Sequence, residues 1–400
     1  MKKRLLALTV LLALAMGLFA GGAKEAAPAT AETETNTVSA EEQWAIDNGL
    51  YENETMDALY EKAKKETGSM VVYTISSRTE KAAKEFMDEY PGLDVTVYNI
   101  SSDELKEKFQ REYEAGIAGA DLIHSKEVLG DYKVDFFDTG ILHNYMPDSI
   151  YGNVDKRFKT MTPFIIEALT WFYNTESGKP LKNWWELTDP KNKGKFVLQD
   201  AADNTAYLAV YTLFTQHPED MAKAYKDYYG KDIVLDKDEP NAGFAFIKRM
   251  EANSPINADR SDEVVQLVGT KGQADPPVGY ASSVKVRKGE ENNWALAYNQ
   301  DVEPSSGMYV LNFFGIVNGC KHPNIAKMFI RYLMGGDDGK GKGYTRFGTT
   351  GTWSVRPECP PSKGNAPLDE ALSKYYTPDY NYIYEHYIEV RDYYIAHLKR

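Results

Sequence analysis

The chain has 400 residues and a formal charge of -13, with 42% hydrophobic residues, 12% aromatic residues and 2 cysteines. A chain of this length buries enough apolar surface to fold without disulfides or metal ions, and at about 150 residues per domain it predicts two lobes. A protein that tracks the phosphates of a nucleic acid needs a basic surface, so the acidic balance excludes nucleic acid as an expected partner.

The N-terminus differs from the rest of the chain. Three basic residues at positions 2–4 precede an almost unbroken apolar run that ends at Ala20, which is the pattern of a secretory signal peptide over residues 1–20. The run is too short for a membrane-spanning helix, which needs about 20 apolar residues. Residues 21–40 predict a flexible leader. No cysteine lies near the expected cleavage point, so thiol lipidation is not predicted and the mature protein is expected in the periplasm.

Beyond the leader, strand patterns alternate with helix patterns. Met70–Thr74 is rich in β-branched residues and predicts a strand, and residues 77–80 carry the spacing of a capping box that opens a helix. Residues 93–100 alternate as a second strand, and Ser101 offers a cap for a second helix. Residues 120–123 predict a third strand, which ends at His124, Ser125 and Lys126. This rhythm is typical of a parallel α/β sheet, which binds ligands in the loops after the carboxyl ends of its strands.

One segment resembles a known family. From Trp171 to Lys195 the chain reads WFYNTE, then a proline, then NWWEL, DPK and KGK in that order. This ordered series resembles a passage of the bacterial periplasmic solute-binding proteins of the ferric-ion and sugar-phosphate importer group. Similar stretches extend the resemblance over residues 57–335.

The resemblance implies the type II periplasmic binding protein fold, in which two α/β lobes are joined by a hinge of two chain crossings and the ligand lies between them. The expected boundaries are 41–170 with 310–400 for lobe 1, and 171–309 for lobe 2. The resemblance also implies that the chain is the monomeric solute-binding subunit of an ABC importer. It would capture a small solute without catalysis or a cofactor and deliver it to a membrane permease and its ATPase.

Candidate ligand residues lie where predicted helices follow strands, because free N–H groups at a helix start favour anions. Arg78 adds a guanidinium for phosphate or carboxylate. Asp200 and Asp203, which follow a predicted strand at 196–198, would accept sugar hydroxyls, so the predicted solute is an organic or phosphorylated anion such as a sugar phosphate. Such residues are also ordinary helix caps, and that interpretation stays open. The expected ligand residues are Ser76, Ser77, Arg78, Thr79, His124, Ser125, Asp200, Asp203, Asn204, Thr205, Tyr280, Ser282 and Ser283.

Ferric ion is the alternative solute, because part of the resembled group binds it through adjacent tyrosines. Phenolate and carboxylate oxygens suit a hard trivalent cation. In the corresponding segment Tyr280 is followed by Ala281, Ser282 and Ser283, so the tyrosine pair is absent and no metal ligands are predicted. Nearby Lys285 suits an oxyanion, as does Lys126 at the end of the third predicted strand. An exported hydrolase is a further alternative that no catalytic motif supports.

The tail is rich in tyrosine and predicts a helix with a packed face. The residues expected on that face are Tyr380, Tyr384, Tyr387, Ile388 and Tyr394. Cys320 and Cys359 leave two interpretations open. They could form a disulfide, for which the chain-entropy argument gives about 4 kcal/mol, or remain two free thiols.

Overall fold

The computed structural model describes residues 38–117 and 119–398, so the predicted signal peptide and all but the end of the leader lie outside the described residues. The strands are β1 (Met70–Thr74), β2 (Val95–Asn99), β3 (Leu122–Glu127), β4 (Leu142–His143), β5 (Thr162–Asn174), β6 (Phe196–Leu198), β7 (Ile256–Asn257), β8 (Val278–Ser282), β9 (Leu296–Asn299), β10 (Tyr309–Val317) and β11 (Trp353–Ser354).

The α-helices are α1 (Ala40–Asp47), α2 (Met56–Ala63), α3 (Ser77–Glu89), α4 (Ser102–Glu114), α5 (Asp148–Tyr151), α6 (Thr205–Gln216), α7 (Pro218–Tyr229), α8 (Ala242–Glu251), α9 (Ser261–Gly269), α10 (Lys288–Glu291), α11 (Pro323–Leu333), α12 (Lys342–Thr345), α13 (Leu368–Leu372) and α14 (Tyr380–His397). Shorter helical turns cover Tyr132–Phe137, Lys156–Phe158, Trp184–Thr188, Pro190–Asn192 and Ser283–Arg287.

Local caps set several of the helix starts. Ser101 caps α4, as expected, because its Oγ accepts the N–H of Glu104. The cap of α3 is Ser76 rather than the predicted Ser77, since the Ser76 Oγ accepts the N–H of Arg78 at 3.3 Å. The capping box predicted at residues 77–80 is therefore wrong by one position, although the helix itself is confirmed.

The third strand ends where its sequence pattern predicts, to within one residue. β3 closes with His124, Ser125 and Lys126, which were expected at its end, and with Glu127. This end of the strand pairs antiparallel with β10, so that Phe314 faces His124 and Asn312 faces Lys126. Because side chains alternate along a strand, His124 and Lys126 share one face of the sheet and Ser125 lies on the other.

The sheet is mixed and changes direction along β5. β1 pairs with β2 and β3 in parallel, as predicted, and β10 then pairs antiparallel with both β3 and β5. β5 pairs with β10 as far as Ala168, and from Leu169 onward it pairs with β8 and β9. One continuous strand of 13 residues therefore links two groups of strands. The expected α/β class is confirmed.

Each group of strands has its own apolar core. Phe86, Phe314 and Phe329 belong to a cluster around β1, β3 and β10. Trp171 and Trp184 belong to a second cluster that includes α6 and α8 residues, and their rings lie 4.9 Å apart. The two cores lie on either side of the point where β5 changes partners.

The C-terminal helix contacts both groups. The rings of Tyr394 and Tyr211 lie 5.9 Å apart, which places α14 against α6. At its other end, the Oη of Tyr384 donates to the Oδ1 of Asp135 at 2.6 Å. The tail was expected to belong to lobe 1 alone. In the structure α14 contacts residues of both proposed lobes.

The buried face of α14 also differs from the expected one. Tyr380, Ile383, Val390 and Tyr394 are buried, whereas Ile388 is exposed, so the expectation for Ile388 is wrong. Tyr384 and Tyr387 are only partly buried, because a tyrosine hydroxyl can reach solvent or a polar partner, while Ile383 and Val390 of the same helix fill the core.

The two cysteines are free, which answers the question that the sequence left open. Within the described residues, no helix is both long enough and apolar enough to cross a bilayer.

The packing of α14 yields a stability prediction. Ile383 is 0% exposed and Ile388 is 55% exposed on the same helix. Ile383→Ala should lower the free energy of unfolding by about 2–5 kcal/mol, because it leaves a cavity in the core. Ile388→Ala is the matched control and should change it by less than about 0.5 kcal/mol. Urea unfolding of both variants measures this, and equal losses would contradict the described packing.

Candidate functional site

A cleft of ≈ 330 Å³ lies beside the point where β5 changes partners. Its walls come from the starts of α3, α4 and α9 and from strands β3, β5, β8 and β10. The lining residues are Ile75, Ser76, Ser77, Arg78, Ser101, Ser102, His124, Lys126, Ile165, Glu167, Ser261, Ser282, Val284, Lys285, Arg287, Asn312 and Phe347. Both groups of strands therefore contribute to one site.

The cleft carries a strong excess of positive charge. Four cationic side chains line it, Arg78, Lys126, Lys285 and Arg287, against the single carboxylate of Glu167. The Lys285 Nζ lies 2.7 Å from Asp262, and the Arg287 Nε lies 3.5 Å from Glu291. Within the described part of the chain, Arg78 and Lys126 form no ion pair. Their charges are free to meet an anion.

Arg78 is held in place by neutral contacts. Its guanidinium lies 5.4 Å from the centre of the Phe347 ring, and its Nη1 donates at 3.3 Å to the Arg346 carbonyl and the Thr349 hydroxyl. Burial lowers the pKa of Arg78, while the charge of Glu167 opposes that change. Arginine keeps its proton in proteins, so the result is a positioned and partly dehydrated cation.

The lone carboxylate links the two groups of strands. Glu167 lies on β5, and the Oγ of Ser282 on β8 donates to its Oε2 at 3.0 Å. A carboxylate with two oxygens has further lone pairs and can also accept hydroxyl groups. The cleft thus combines cations with one strong acceptor.

His124 lies in the wall of the cleft and is 1% exposed. Its Nδ1 lies 2.9 Å from the hydroxyls of both Thr74 and Thr79. Burial, helped by the positive charge of Arg78, lowers the pKa of His124 to about 3, so the ring is neutral at physiological pH. Its Nε2 has no hydrogen-bond partner among the described residues.

A second uncharged group, the amide of Asn312, lies on β10 beside the strand that carries His124. Asn312 faces Lys126 across the ladder between β10 and β3 and is 2% exposed. Its Nδ2 also lacks a partner among the described residues. The wall therefore holds two uncharged side chains, each with a buried nitrogen that has no hydrogen-bond partner among the described residues.

The structure brings together part of the expected ligand set. Ser76, Ser77, Arg78, His124 and Ser282 line the cleft, as do Lys126 and Lys285 from the same segments. The remaining expected residues lie outside its lining.

Three of those remaining residues are buried in internal contacts. Thr79 lies behind His124. The Ser283 Oγ donates to the Gly351 carbonyl at 2.6 Å, and the Tyr280 Oη donates to the Leu169 carbonyl at 3.2 Å. Ser125 is also buried, on the opposite face of β3 from His124.

The expected residues at and before the start of α6 lie outside the cleft, and two of them hold the local backbone in place. The Asn204 Oδ1 accepts the N–H groups of Ala206 and Tyr207, which makes it the helix cap. The Asp200 Oδ1 accepts the N–H of Ala202 at 2.9 Å. The other two expected residues here are Asp203, which is exposed, and Thr205, whose Oγ1 lies 3.4 Å from the Asp103 Oδ1 on α4.

Sequence reasoning missed Glu167, Arg287 and Asn312. Glu167 is the one charged residue of β5 and Asn312 is the one amide residue of β10, and a charged or amide side chain within a largely buried strand is a signal of a special role. Arg287 follows Lys285 by two positions, so the same basic stretch contains both.

The described residues hold no group of three or more His, Cys, Asp or Glu side chains suited to a metal ion. Among the described residues that line the cleft there is no tyrosine. Burial raises the pKa of Tyr280 well above its ordinary value, which disfavours the phenolate that ferric ion prefers.

His124 gives a pH-dependence that can be measured. Its pKa rises from about 3 in the folded state to about 6.5 when exposed, so the unfolded state binds one more proton between these values. The free energy of unfolding should therefore fall as the pH drops below 6.5, by up to about 1.4 kcal/mol per pH unit from this group. Urea unfolding from pH 7.5 to 5.5 should show this slope in the wild type relative to His124→Gln, and parallel curves would contradict it.

Comparison with known proteins adds to this geometry. The family described as "Bacterial extracellular solute-binding protein" matches residues 81–369, which is more than half of the chain. No curated protein matches the chain.

Solved structures share its architecture. Iron-bound HitA from Pseudomonas aeruginosa is 14% identical, with a TM-score of 0.60 over 83% of this chain and 99% of its own. AfuA from Actinobacillus pleuropneumoniae, with exogenous fructose-6-phosphate bound, is 17% identical, with a TM-score of 0.61 over 83% and 99%. The spermidine/putrescine ABC transporter substrate-binding protein PotD from Streptococcus pneumoniae is 16% identical, with a TM-score of 0.55 over 81% and 100%.

These likenesses confirm the expected fold, the two-lobed type II periplasmic binding protein. The family match spans residues from both groups of strands and all but one of the segments that line the cleft, and this match identifies the chain. It belongs to the bacterial extracellular solute-binding proteins.

Proposed function

We propose that the cleft binds an organic or phosphorylated anion, such as a sugar phosphate, and that the protein delivers it to an ABC importer. The observation that supports this is the meeting of four cationic side chains and one carboxylate in a single cleft. The partners would be a membrane permease and its ATPase, and the protein would work as a monomer in the periplasm after removal of residues 1–20.

The free cations would hold the charged end of the solute. Arg78 offers a planar pair of N–H donors to a phosphate or carboxylate, and Lys126 adds a second charge. Ser76 and Ser77, at the start of α3, add hydroxyl and backbone donors. Glu167 would accept a hydroxyl group of the same solute, so a hydroxylated anion uses both kinds of contact.

Charge also explains how the solute would favour closure. Arg78 and Lys126 come from the proposed lobe 1, whereas Lys285 and Arg287 come from the proposed lobe 2. Like charges repel as the walls approach, and an anion between them removes that repulsion. The solute would therefore bind the closed form more tightly than the open form, which shifts the population towards closure.

The hinge would lie where the chain passes between the two groups of strands. β5 would make one crossing and the segment before β10 the other, which gives proposed lobes of 41–170 with 310–400 and of 171–309. α14 contacts both sides of this boundary and would limit how far the lobes separate.

The three compared proteins are named for chemically different solutes. HitA is described as iron-bound, AfuA as binding fructose-6-phosphate, and PotD as belonging to a spermidine/putrescine transporter. Iron and polyamines are cations, which the positive charge of this cleft would repel. Of the three, a phosphorylated sugar fits the cleft of this chain.

Paired substitutions test the anion site. Arg78→Gln should weaken anion binding by about 10- to 100-fold, because it removes charged hydrogen bonds to the solute. The double variant Arg78→Gln with Ser282→Ala should lose anion-induced stabilisation. The matched control is Arg111→Gln, which removes the same charge from an exposed site on α4 and should leave binding unchanged.

Thermal shift with a panel of sugar phosphates and sugar acids, followed by calorimetry, makes this measurement. Ferric citrate and spermidine complete the panel, and stabilisation by either of these alone would contradict the proposal. Mass spectrometry of each solute after incubation tests the hydrolase alternative, which predicts a change in the mass of the solute.

A further inference from the structure

The wall of the cleft contains two uncharged side chains, each with a buried nitrogen that the described residues do not satisfy. His124 Nε2 and Asn312 Nδ2 have no hydrogen-bond partner among the described residues, and their residues are 1% and 2% exposed. An amide Nδ2 can only donate, and a buried donor without an acceptor is costly. A partner for Asn312 must therefore be an acceptor, and the role of His124 depends on where its ring carries the proton.

The surrounding hydroxyls determine that proton's position. The Thr74 Oγ1 donates to the Thr79 Oγ1 at 3.0 Å, and it also accepts the N–H of Ser76. Both threonine hydroxyls lie 2.9 Å from the His124 Nδ1. Once Thr74 has donated its proton to Thr79, the His124 Nδ1 is the remaining acceptor for the Thr79 proton among the described contacts.

Because Thr79 is buried, the need of its hydroxyl proton for an acceptor decides between the two neutral tautomers of His124. Thr79 is 0% exposed, so its hydroxyl has no access to water, and a proton without an acceptor there would be unfavourable. If His124 Nδ1 carried the ring proton, it would donate to the threonine oxygens and leave the Thr79 proton unpaired. The arrangement that satisfies every hydroxyl places the ring proton on Nε2.

We infer that His124 donates its Nε2–H to an oxygen of the bound solute, with Thr74 and Thr79 as positioning residues that hold this tautomer. Asn312 supplies a second uncharged donor beside it. This inference rests on the proposed function, because it takes the cleft to be the binding site. The oxygen belongs to a phosphate, carboxylate or carbonyl group.

The same tautomer excludes His124 as a metal ligand in this state. A histidine binds a metal through an unprotonated nitrogen. Here the Nδ1 lone pair is occupied by Thr79 and Nε2 carries the proton, so neither nitrogen is free. Aromatic rings surround the histidine, with Phe314 at 5.0 Å and Phe164 at 5.4 Å between ring centres, which disfavours the charged form as well. The donor is therefore uncharged.

The first experiment reads the tautomer directly. Long-range ¹H–¹⁵N spectra of the ¹⁵N-labelled mature protein distinguish the two neutral tautomers, and the His124→Gln spectrum assigns the His124 signals. We expect the Nε2–H form from pH 8 to pH 5. Thr79→Ser keeps the hydroxyl and should retain that form, whereas the double variant Thr74→Val with Thr79→Val removes both hydroxyls that can donate to Nδ1 and should produce a mixture. An Nδ1–H tautomer in the wild type would overturn the inference.

The second experiment uses inorganic phosphate as the probe. Titration should shift the His124 Nε2 and Asn312 Nδ2 signals together with those of Arg78, and the double variant Thr74→Val with Thr79→Val should weaken phosphate binding by about tenfold. Shifts at Arg78 without shifts at His124 would overturn the inference and leave the proposed anion site intact. If phosphate shifts no signal in the cleft, the proposed anion site fails, and the solute contact of His124 fails with it.

Discussion

The antiparallel pairing of β10 with β3 on one side and β5 on the other holds the site together. It places Asn312 opposite Lys126 and Phe314 opposite His124. It also anchors the first half of β5, whose second half belongs to the other group of strands. Without this ladder the cations of the two groups would have no fixed relation, because the segments that carry them are far apart in the chain.

Local aromatic and polar contacts allow charged groups to persist in the cleft. Arg78 rests on Phe347 and on neutral oxygens, and Ser282 hydrogen-bonds Glu167 across the boundary between the strand groups. An isolated buried charge is expensive, whereas a half-buried charge with polar contacts keeps much of its solvation. The positive excess therefore persists in the cleft and gives an anion a net attraction.

The two kinds of donor in the cleft have different physical roles. Charged groups such as Arg78 and Lys126 attract an anion over a distance, and salt screens that attraction. Uncharged donors such as His124 act only at hydrogen-bond distance and demand an oxygen in a defined position. A solute-binding protein needs both, because attraction brings the solute to the cleft and short-range contacts distinguish it from other anions.

The sequence by itself determined the local features. It predicted β1 and β6 with their observed bounds, and it placed helix caps within residues 101–104 and 200–205, where Ser101 and Asn204 serve as caps, because alternation and capping depend on neighbouring residues. The family resemblance added the fold. The tertiary structure alone decided the composition of the site. It moved Tyr280 and Ser283 out of the cleft and added Glu167, Arg287 and Asn312 to it. Strand pairing and burial depend on residues distant in the chain, and no local pattern encodes which of them meet.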